Sequence, residues 1–299
     1  MSAAKSINST LIAISYAFCW GVGITLTKVA LSEITPTTLL IIQLFSSVLF
    51  LMTICQLTAQ PLPLSWQQLK QGVAGIFEPA LAYMFGIVGI QMTTASNATL
   101  ISSTEVILTI LLAAVFLNER LTQLKLLLAS ISFLGVSLLM LKDIQSTDQS
   151  SLVGDVLVLV GTFFAVCYAL LSKRQIETAH PLQLTTAQQA IGLITTVLCF
   201  GVLSMLNPEY EVSAANISLP FWLLAIGSGI MQYALAFFLY LIALQTVPAS
   251  HAAFYLTLIP VFGVTSAVLI IGEQPSLAQA IGSCLVVASS YCANRLTTL

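Results

Sequence analysis

The sequence carries one apolar stretch twice, and this duplication decides the fold. Residues 95–119 read ASNATLISSTEVILTILLAAVFLNE, and residues 249–273 read ASHAAFYLTLIPVFGVTSAVLIIGE. The copies align without a gap at a constant offset of 154 residues, and each ends in a glutamate, Glu119 or Glu273. Each copy is mostly apolar over roughly 20 residues, which is the length of a membrane-spanning helix. The duplication predicts a protein of two similar halves that lie in a membrane.

The composition of the whole chain also points to lipid as its surroundings. Of its 299 residues, 58% are hydrophobic and 7% are charged, and the mean hydropathy is +1.00. A soluble domain carries about 25% charged residues because it must cover its surface with them. The formal net charge of −2 is small, so nucleic acid is not an expected partner. We therefore expect an all-α integral membrane protein.

Charged residues, prolines and polar clusters divide the chain into ten apolar runs of membrane-spanning length. They predict ten transmembrane helices joined by loops that are too short to hold another domain. The first run continues past Lys28 and is longer than the core of a signal peptide, so we expect a retained helix. The predicted spans are residues 8–31, 36–58, 72–91, 94–117, 123–142, 152–173, 185–206, 220–243, 249–271 and 277–295.

Lysine and arginine predict the orientation, because they concentrate in cytoplasmic segments. With the N-terminus inside, seven of them lie in inner segments and two in outer segments. We therefore expect a multi-pass protein of the bacterial inner (plasma) membrane with both termini in the cytoplasm. The inner set comprises Lys5, Lys70, Arg120, Lys125, Lys173, Arg174 and Arg295, and the outer set Lys28 and Lys142.

The repeat divides the chain into residues 1–145 and residues 146–299, each with five predicted spans. An odd number of crossings reverses the second copy relative to the membrane, which places Glu119 and Glu273 on opposite faces. Inverted repeats are the architecture of many secondary transporters, whose halves exchange conformations around a central site. The sequence thus predicts alternating access to a site between the halves.

Three motifs resemble the drug/metabolite transporter superfamily, EamA type. The first span reads Ala17-Phe18-Cys19-Trp20-Gly21 and is followed by Lys28, the fourth ends Phe116-Leu117-Asn118-Glu119-Arg120-Leu121, and the ninth carries Leu258-Ile259-Pro260-Val261-Phe262 and ends Ile271-Gly272-Glu273. Asn118 stands where the family usually has glycine, and Val106 where its first copy often has proline. The resemblance covers nearly the whole chain and implies two inverted five-helix repeats around a central cavity.

The resemblance also implies a function and a set of motif residues. Relatives export small metabolites such as amino acids, amines and drugs, and some import choline or sugars. Four motif residues are expected to be structural: Lys28, Glu119, Pro260 and Glu273. For the two glutamates we expect hydrogen bonds that turn the chain and hold neighbouring helix ends, and for Lys28 a side chain that reaches the outer interface.

Two carboxyl groups inside predicted spans are the leading candidates for substrate binding or coupling. Glu105 lies well inside the fourth span, where a charge costs roughly 2.5–3.5 kcal/mol on insertion scales. Such a group can exchange a proton or pair with a cationic substrate; the alternative is a neutral carboxylic acid bonded between helices. Glu78 precedes Pro79, and this proline is expected to kink the third span. A solvated charge at the helix end is the alternative for Glu78.

Amphipathic side chains deep in the spans are further candidates for the lining of the site. Aromatic rings with polar tips suit organic substrates and can hold cations by their faces, whereas ordinary helix packing is the alternative for each. His251 takes the place of Asn97 in the repeat and shares a helix face with Tyr255. The full candidate set is Trp20, Tyr83, Asn97, Tyr168, Gln232, Tyr233, Tyr240, His251 and Tyr255.

Other functional classes are less compatible with the sequence. An intramembrane zinc protease needs HExxH, and a prenyl-diphosphate enzyme needs paired Asp-rich motifs; the chain has neither, and its six cysteines form no zinc-binding spacing. We expect no enzyme activity, no metal and no cofactor. The alternatives retained are an importer of a small organic cation or nutrient and an intramembrane enzyme. The expected partners are a small-molecule substrate and the bilayer, with protons as a candidate co-substrate, and a monomeric or homodimeric protein.

Replacing Glu105 with glutamine removes a titratable group and keeps its shape. We expect Glu105→Gln to fold normally and to lose the pH dependence of transport, measured as flux into proteoliposomes at a series of pH values. A variant whose flux varied with pH as in the wild type would remove Glu105 from the mechanism.

Overall fold

The structure is a computed structural model. It describes residues 2–63, 65–92, 101–102, 104–139, 151–207, 210, 212–213, 215, 217–272 and 276–295. Two of the sequence candidates, Asn97 and Glu273, lie outside this part of the chain. The described residues form helices and connecting turns and no strand, so the all-helical class is confirmed for them.

Helices follow one another along the chain with short connections. The first half contains α1 Ser2–Ala30, α2 Pro36–Leu57, α3 Trp66–Gln71, α4 Ala82–Met92, α5 Glu105–Phe116 and α6 Gln123–Leu139. The second half contains α7 Leu152–Gln175, α8 Pro181–Leu206, α9 Leu219–Gly229, α10 Ala236–Thr246, α11 Ala249–Leu256, α12 Leu258–Ile271 and α13 Leu277–Arg295. Two short, more widely wound segments, Ile76–Leu81 and Ile230–Leu235, lead into α4 and α10.

Helix length and composition identify membrane spans in the part of the chain that the structure describes. Six stretches there are long and apolar enough to cross a bilayer, and four shorter apolar helices lie at the remaining predicted positions. The count of ten crossings, the inversion of the halves and the division at residue 145 stay predictions. Helix α8, at the seventh predicted span, begins at Pro181, four residues before the predicted start, because proline suits the first helical turn.

Helices from the two halves pack against each other rather than forming separate bundles. Helix α1 lies against α9, α10 and α12, while α7 of the second half lies against α4 and α5. Helix α6 packs along α13, and α2 packs along α8. Any site in the middle of the protein is therefore built from both halves.

Apolar side chains cover the outward faces of the helices, as expected in lipid, and also fill much of the interior. Phe45, Leu49 and Leu198 are exposed. Buried polar groups instead bond between helices. These bonds join Gln43 Nε2 to Ser228 Oγ at 2.8 Å, Thr25 Oγ1 to Ser266 Oγ at 2.6 Å, and Ser132 Oγ to Ser289 Oγ at 2.6 Å.

The third predicted span is interrupted at Glu78. This residue has φ −146° and ψ 128°, which is extended backbone within an otherwise helical segment. The sequence explains the break, because Pro79 has no N–H group and disfavours helical geometry in the residue before it. A kink at this proline was predicted, and the observed break confirms it. Glu78 is buried at this interruption.

Glycines allow the interrupted segment to pack closely against α8. A Cβ atom on Gly75 would lie 1.9 Å from the carbonyl oxygen of Gln188, and a Cβ atom on Gly192 would lie 2.7 Å from Pro79 Cδ. The backbone of α8 thus covers the break and keeps it away from lipid.

We expect Gly75→Ala to destabilise the protein, because the backbone of α8 must shift to admit the methyl group. Overpacking of this kind costs about 1–3 kcal/mol, and the measurement is the thermal unfolding temperature in detergent. The matched control is Gly201→Ala. Gly201 lies on α8 itself, and a Cβ atom added there meets nothing within 4 Å. Equal melting temperatures for the two variants would contradict the close contact at Gly75.

Candidate functional site

Aromatic side chains from both halves meet in the centre of the protein. The Trp20 ring lies 4.6 Å from the Phe237 ring, and the Tyr83 ring lies 5.2 Å from the Tyr233 ring, measured between centroids. Phe237 and Tyr233 are stacked at 6.3 Å, which joins the two pairs. Trp20 Nε1 donates a hydrogen bond of 3.1 Å to the Tyr83 hydroxyl.

Three further tyrosines extend this group of rings. Tyr16 contacts Tyr240 at 5.3 Å, and Tyr168 contacts Phe237 at 5.5 Å. Tyr240 also lies 6.4 Å from Trp20. We call the whole set the central aromatic cluster; its members are Tyr16, Trp20, Tyr83, Tyr168, Tyr233, Phe237 and Tyr240.

The polar tips of this cluster are held in different ways. The Tyr16 hydroxyl donates to the carbonyl oxygen of Ala252 at 2.6 Å, and the Tyr168 hydroxyl donates to Gln188 Oε1 at 3.0 Å. The Tyr240 hydroxyl is buried and has no hydrogen-bond partner. A buried hydroxyl without a partner is costly, so Tyr240 is the member of the cluster that a bound molecule could satisfy.

Two carboxyl groups lie beside the cluster. Glu78 is 9% exposed at the break before α4, and Glu105 is half-buried in the first turn of α5. They are close enough for their charges to interact. Tyr83 and Tyr240 lie within electrostatic range of both carboxyl groups. The structure therefore brings together the two acidic candidates and most of the aromatic ones.

Neither carboxyl group is paired with a described side chain. Among the residues that the structure describes, no group donates a hydrogen bond to Glu78 or Glu105, and no lysine, arginine or histidine forms an ion pair with them. Carboxyl groups in low-dielectric surroundings usually have such partners. Within the described part of the chain, the carboxyl pair therefore lies near the aromatic rings without a partner of this kind.

Of the remaining candidates, Gln232 forms a side-chain hydrogen bond with Tyr83 of the cluster, and the other two lie on α11. Gln232 Oε1 accepts a hydrogen bond of 3.2 Å from Thr27 Oγ1 and belongs to a polar layer with Gln43. His251 and Tyr255 are buried on α11. His251 lies near Lys125 and Glu119, away from the carboxyl pair, whereas Tyr255 is close enough to Tyr16 to interact with it.

Sequence reasoning missed two members of the cluster. Tyr16 lies four residues before Trp20, and Phe237 lies four residues after Tyr233. Residues at this spacing share one helix face, so the signal was present. It was hidden because these helices are apolar on all sides, and a ring that faces the interior then resembles one that faces lipid.

One end of the bundle is closed by a network around Glu119. Its carboxylate accepts hydrogen bonds from the backbone N–H of Ala249 at 2.6 Å and of Ser250 at 3.1 Å, and from the Ser250 hydroxyl. Lys125 Nζ donates to Ser250 Oγ at 3.2 Å and to the carbonyl oxygen of Arg120 at 3.0 Å. Glu119 therefore binds the unsatisfied N–H groups at the start of α11.

Two basic side chains add to this closed end from the second half. Lys173 Nζ donates to the carbonyl oxygens of Leu244 at 2.6 Å and Val247 at 3.0 Å, at the end of α10. Arg174 donates to the carbonyl oxygen of Phe116 at the end of α5. Cations are favoured at carbonyl ends and anions at N–H ends of helices, so all three charges match the helix ends that they bind.

An apolar groove of about 410 Å³ lies elsewhere, on the outward face of α13. Its lining consists of Ala280, Ile281, Cys284, Leu285 and Ala288. With no charged group to orient a polar substrate, this groove is suited to lipid chains rather than to a substrate.

Comparisons with known proteins agree with this architecture. The profile of the EamA-like transporter family matches residues 8–141 and again residues 152–295. An uncharacterized transporter of Archaeoglobus fulgidus is 26% identical over 254 residues, which cover 79% of this chain and 83% of the relative. The uncharacterized transporter YyaM of Bacillus subtilis is 24% identical over 218 residues, covering 72% and 68% of the two chains. A crystal structure with 18% identity superimposes with a TM-score of 0.80 over 97% of this chain and 98% of that one, which shows a shared fold.

The Glu119 network predicts a measurable loss of stability. Glu119→Ala removes the acceptor for two backbone N–H groups, so we expect a loss of about 1–2 kcal/mol, as for other helix caps, and a lower melting temperature in detergent. Ser250→Ala keeps both backbone bonds and should cost less. The control is Glu177→Ala, whose side chain is exposed in the turn after α7. Equal melting temperatures for Glu119→Ala and the control would show that the cap does not stabilise the protein.

Proposed function

Because the chain belongs to the EamA-like transporter family, we propose that it is a secondary transporter that moves small organic metabolites through a site at the central aromatic cluster. It works by alternating access between two inverted five-helix repeats, and it exports amino acids, amines or drug-like molecules. The names of its relatives support membrane transport.

The observation that carries this proposal is the composition of the central cluster. Its rings come from α1 and α4 in the first half and from α7 and α10 in the second, with Glu78 and Glu105 beside them. A ligand bound there touches both halves at once, which is the arrangement that alternating access requires. Aromatic and carboxyl groups together suit molecules with an apolar body and a polar end.

The Glu119 network supports a second part of the proposal, the closure of one end. Glu119 follows α5 in the first half, and it binds the start of α11 in the second half. We propose that this end faces the cytoplasm of a bacterium, with both termini on the same side, as the distribution of lysine and arginine predicts. Opening toward the cytoplasm then requires Glu119 to release Ala249 and Ser250.

Coupling to protons is the proposed source of energy for export. Glu105 and Glu78 lie close together without a described cationic partner, and two neighbouring carboxyl groups in a low-dielectric site cannot both stay ionised at low cost. Uptake of a proton by this pair is therefore linked to whether a substrate is present. An importer of a small organic cation is the second candidate, and the same carboxyl pair favours it.

The test begins with the purified protein and a panel of amino acids, amines, choline, nucleosides and sugars. A ligand at about 100 times its Kd should stabilise the folded protein by about 2.7 kcal/mol, which is seen as a higher melting temperature. The stabilising compound is then used in proteoliposomes. We expect saturable uptake that is accelerated when the same unlabelled compound is present on the far side.

Each other outcome separates the alternatives. Flux that does not saturate and shows no acceleration would indicate a channel, and chemical conversion of the compound would indicate an enzyme. Protein-free liposomes serve as the control for leakage. A pH gradient that drives the compound outward would support export, and one that drives it inward would support import.

A further inference from the structure

We propose that the central aromatic cluster selects small organic amines as cations, with the ammonium group held by Glu78 and Glu105 and the apolar part held by the rings. This inference rests on the proposed transport function, and it decides between the substrate classes that the function leaves open. It assigns the recognition of charge to the two carboxyl groups and the recognition of shape to the aromatic cluster.

The charge-bearing groups around the cluster favour a cationic ligand. The helices that surround the cluster contribute Glu78, Glu105 and several tyrosines as titratable groups. The basic side chains on neighbouring elements are bonded elsewhere: Lys173 and Arg174 bind carbonyl oxygens at the closed end. Lys28 lies eight residues beyond Trp20 on α1, at roughly 12 Å along the helix. Within the described part of the chain, the charge-bearing groups closest to the cluster are therefore acidic.

The aromatic rings of the cluster favour the same kind of ligand. Trp20, Tyr83 and Tyr233 present aromatic surface beside the carboxyl pair. The face of an aromatic ring attracts a cation within about 6 Å of its centre, and tryptophan does so most strongly. Rings also bury the hydrocarbon part of a ligand. A cationic amine with an apolar or aromatic body matches both properties, whereas a sugar matches neither.

The Tyr240 hydroxyl is a further candidate contact for the ligand, separate from the carboxyl pair. The Tyr240 hydroxyl has no hydrogen-bond partner, and the side chain is 2% exposed. It lies within electrostatic range of both Glu78 and Glu105. A hydroxyl oxygen accepts hydrogen bonds as well as donating them, so an ammonium group near the carboxyl pair can also bond to Tyr240.

The cluster fits zwitterionic amino acids less well than amines. A zwitterionic amino acid carries a carboxylate as well as an ammonium group, and that carboxylate needs a cationic or N–H partner when it leaves water. The described cluster offers hydroxyl groups, carboxyl groups and rings but no cation for it. Any negative charge that the carboxyl pair keeps would also repel the carboxylate, because like charges at close range repel. Amines are therefore favoured over the corresponding amino acids.

The experiment uses four probes of nearly equal size: 2-phenylethylamine, 2-phenylethanol, phenylalanine and 3-phenylpropionate. They present the same ring with a cationic, neutral, zwitterionic or anionic end. Binding to the purified full-length protein is measured by thermal shift and by titration calorimetry. We expect the amine to bind at least about tenfold more tightly than any other probe, because only its charge-assisted hydrogen bonds match the site.

Three variants locate the recognition. We expect Glu78→Gln and Glu105→Gln each to weaken amine binding about tenfold or more, while binding of the neutral alcohol changes little. Tyr240→Phe, which removes only the hydroxyl, should weaken the amine by a smaller factor. The matched control is Glu177→Gln, with its exposed carboxyl group in the turn after α7, and it should bind all probes as the wild type does.

The ranking of probes on the wild-type protein decides the proposal even if a variant fails to fold. Phenylalanine or 3-phenylpropionate binding as tightly as the amine would overturn it, as would the absence of binding by the amine. Counterflow in proteoliposomes separates this result from the function itself. Exchange of phenylalanine without exchange of the amine keeps the transporter and rejects amine selectivity, whereas selective amine binding without any exchange rejects the transporter.

Discussion

The absence of water inside a bilayer is the constraint on which this structure depends. Every backbone N–H and carbonyl group in the hydrocarbon must find a partner within the protein, so a helix can be interrupted only where other helices cover the gap. The break at Glu78 and Pro79 meets this condition because Gly75 and Gly192 bring α8 against it. A larger side chain at either glycine would separate the helices and expose the free backbone groups. The position of Glu78 at the break therefore depends on the close packing of α8.

The same constraint governs the closed end of the bundle. The start of α11 has free N–H groups, and Glu119 accepts from two of them; the ends of α10 and α5 have free carbonyl groups, and Lys173 and Arg174 donate to those. Each of these bonds joins helices that are distant in sequence, and those of Glu119 and Arg174 cross between the halves. If this end opens in the proposed transport cycle, the hydrogen bonds of these charged side chains must break. Opening then leaves the N–H and carbonyl groups at the helix ends without these partners.

Apolar length and the rarity of charge made the membrane class and most helix positions predictable from sequence. Proline also marked the interruption of the third span and the extended backbone at Glu78 before it, whereas the close cover of this break by α8 is packing that no local pattern specifies. For the site, an acidic residue in an apolar helix is conspicuous, so Glu78 and Glu105 could be found. Tyr16 and Phe237 could not, because helices that are apolar on every side give no sign of which ring faces inward. The partners of Glu119 lie 130 and 131 residues away, and only the folded chain brings them together.

Helix α11 links the site to the closed end. Glu119 holds its first residues, and the Tyr16 hydroxyl binds the carbonyl oxygen of Ala252 within its first turn. Tyr16 in turn contacts Tyr240, whose unpartnered hydroxyl lies near both carboxyl groups. A ligand that engages Tyr240 therefore acts on a ring that touches Tyr16, and a displacement of Tyr16 changes one of the bonds that fix α11. Coupling between sites requires an element whose position both sites influence, and in this chain α11 is bonded from both directions. In the proposed transport mechanism, the short helix after Pro248, rather than any long membrane span, is thus the element that connects occupancy of the cluster to the bonds at Glu119.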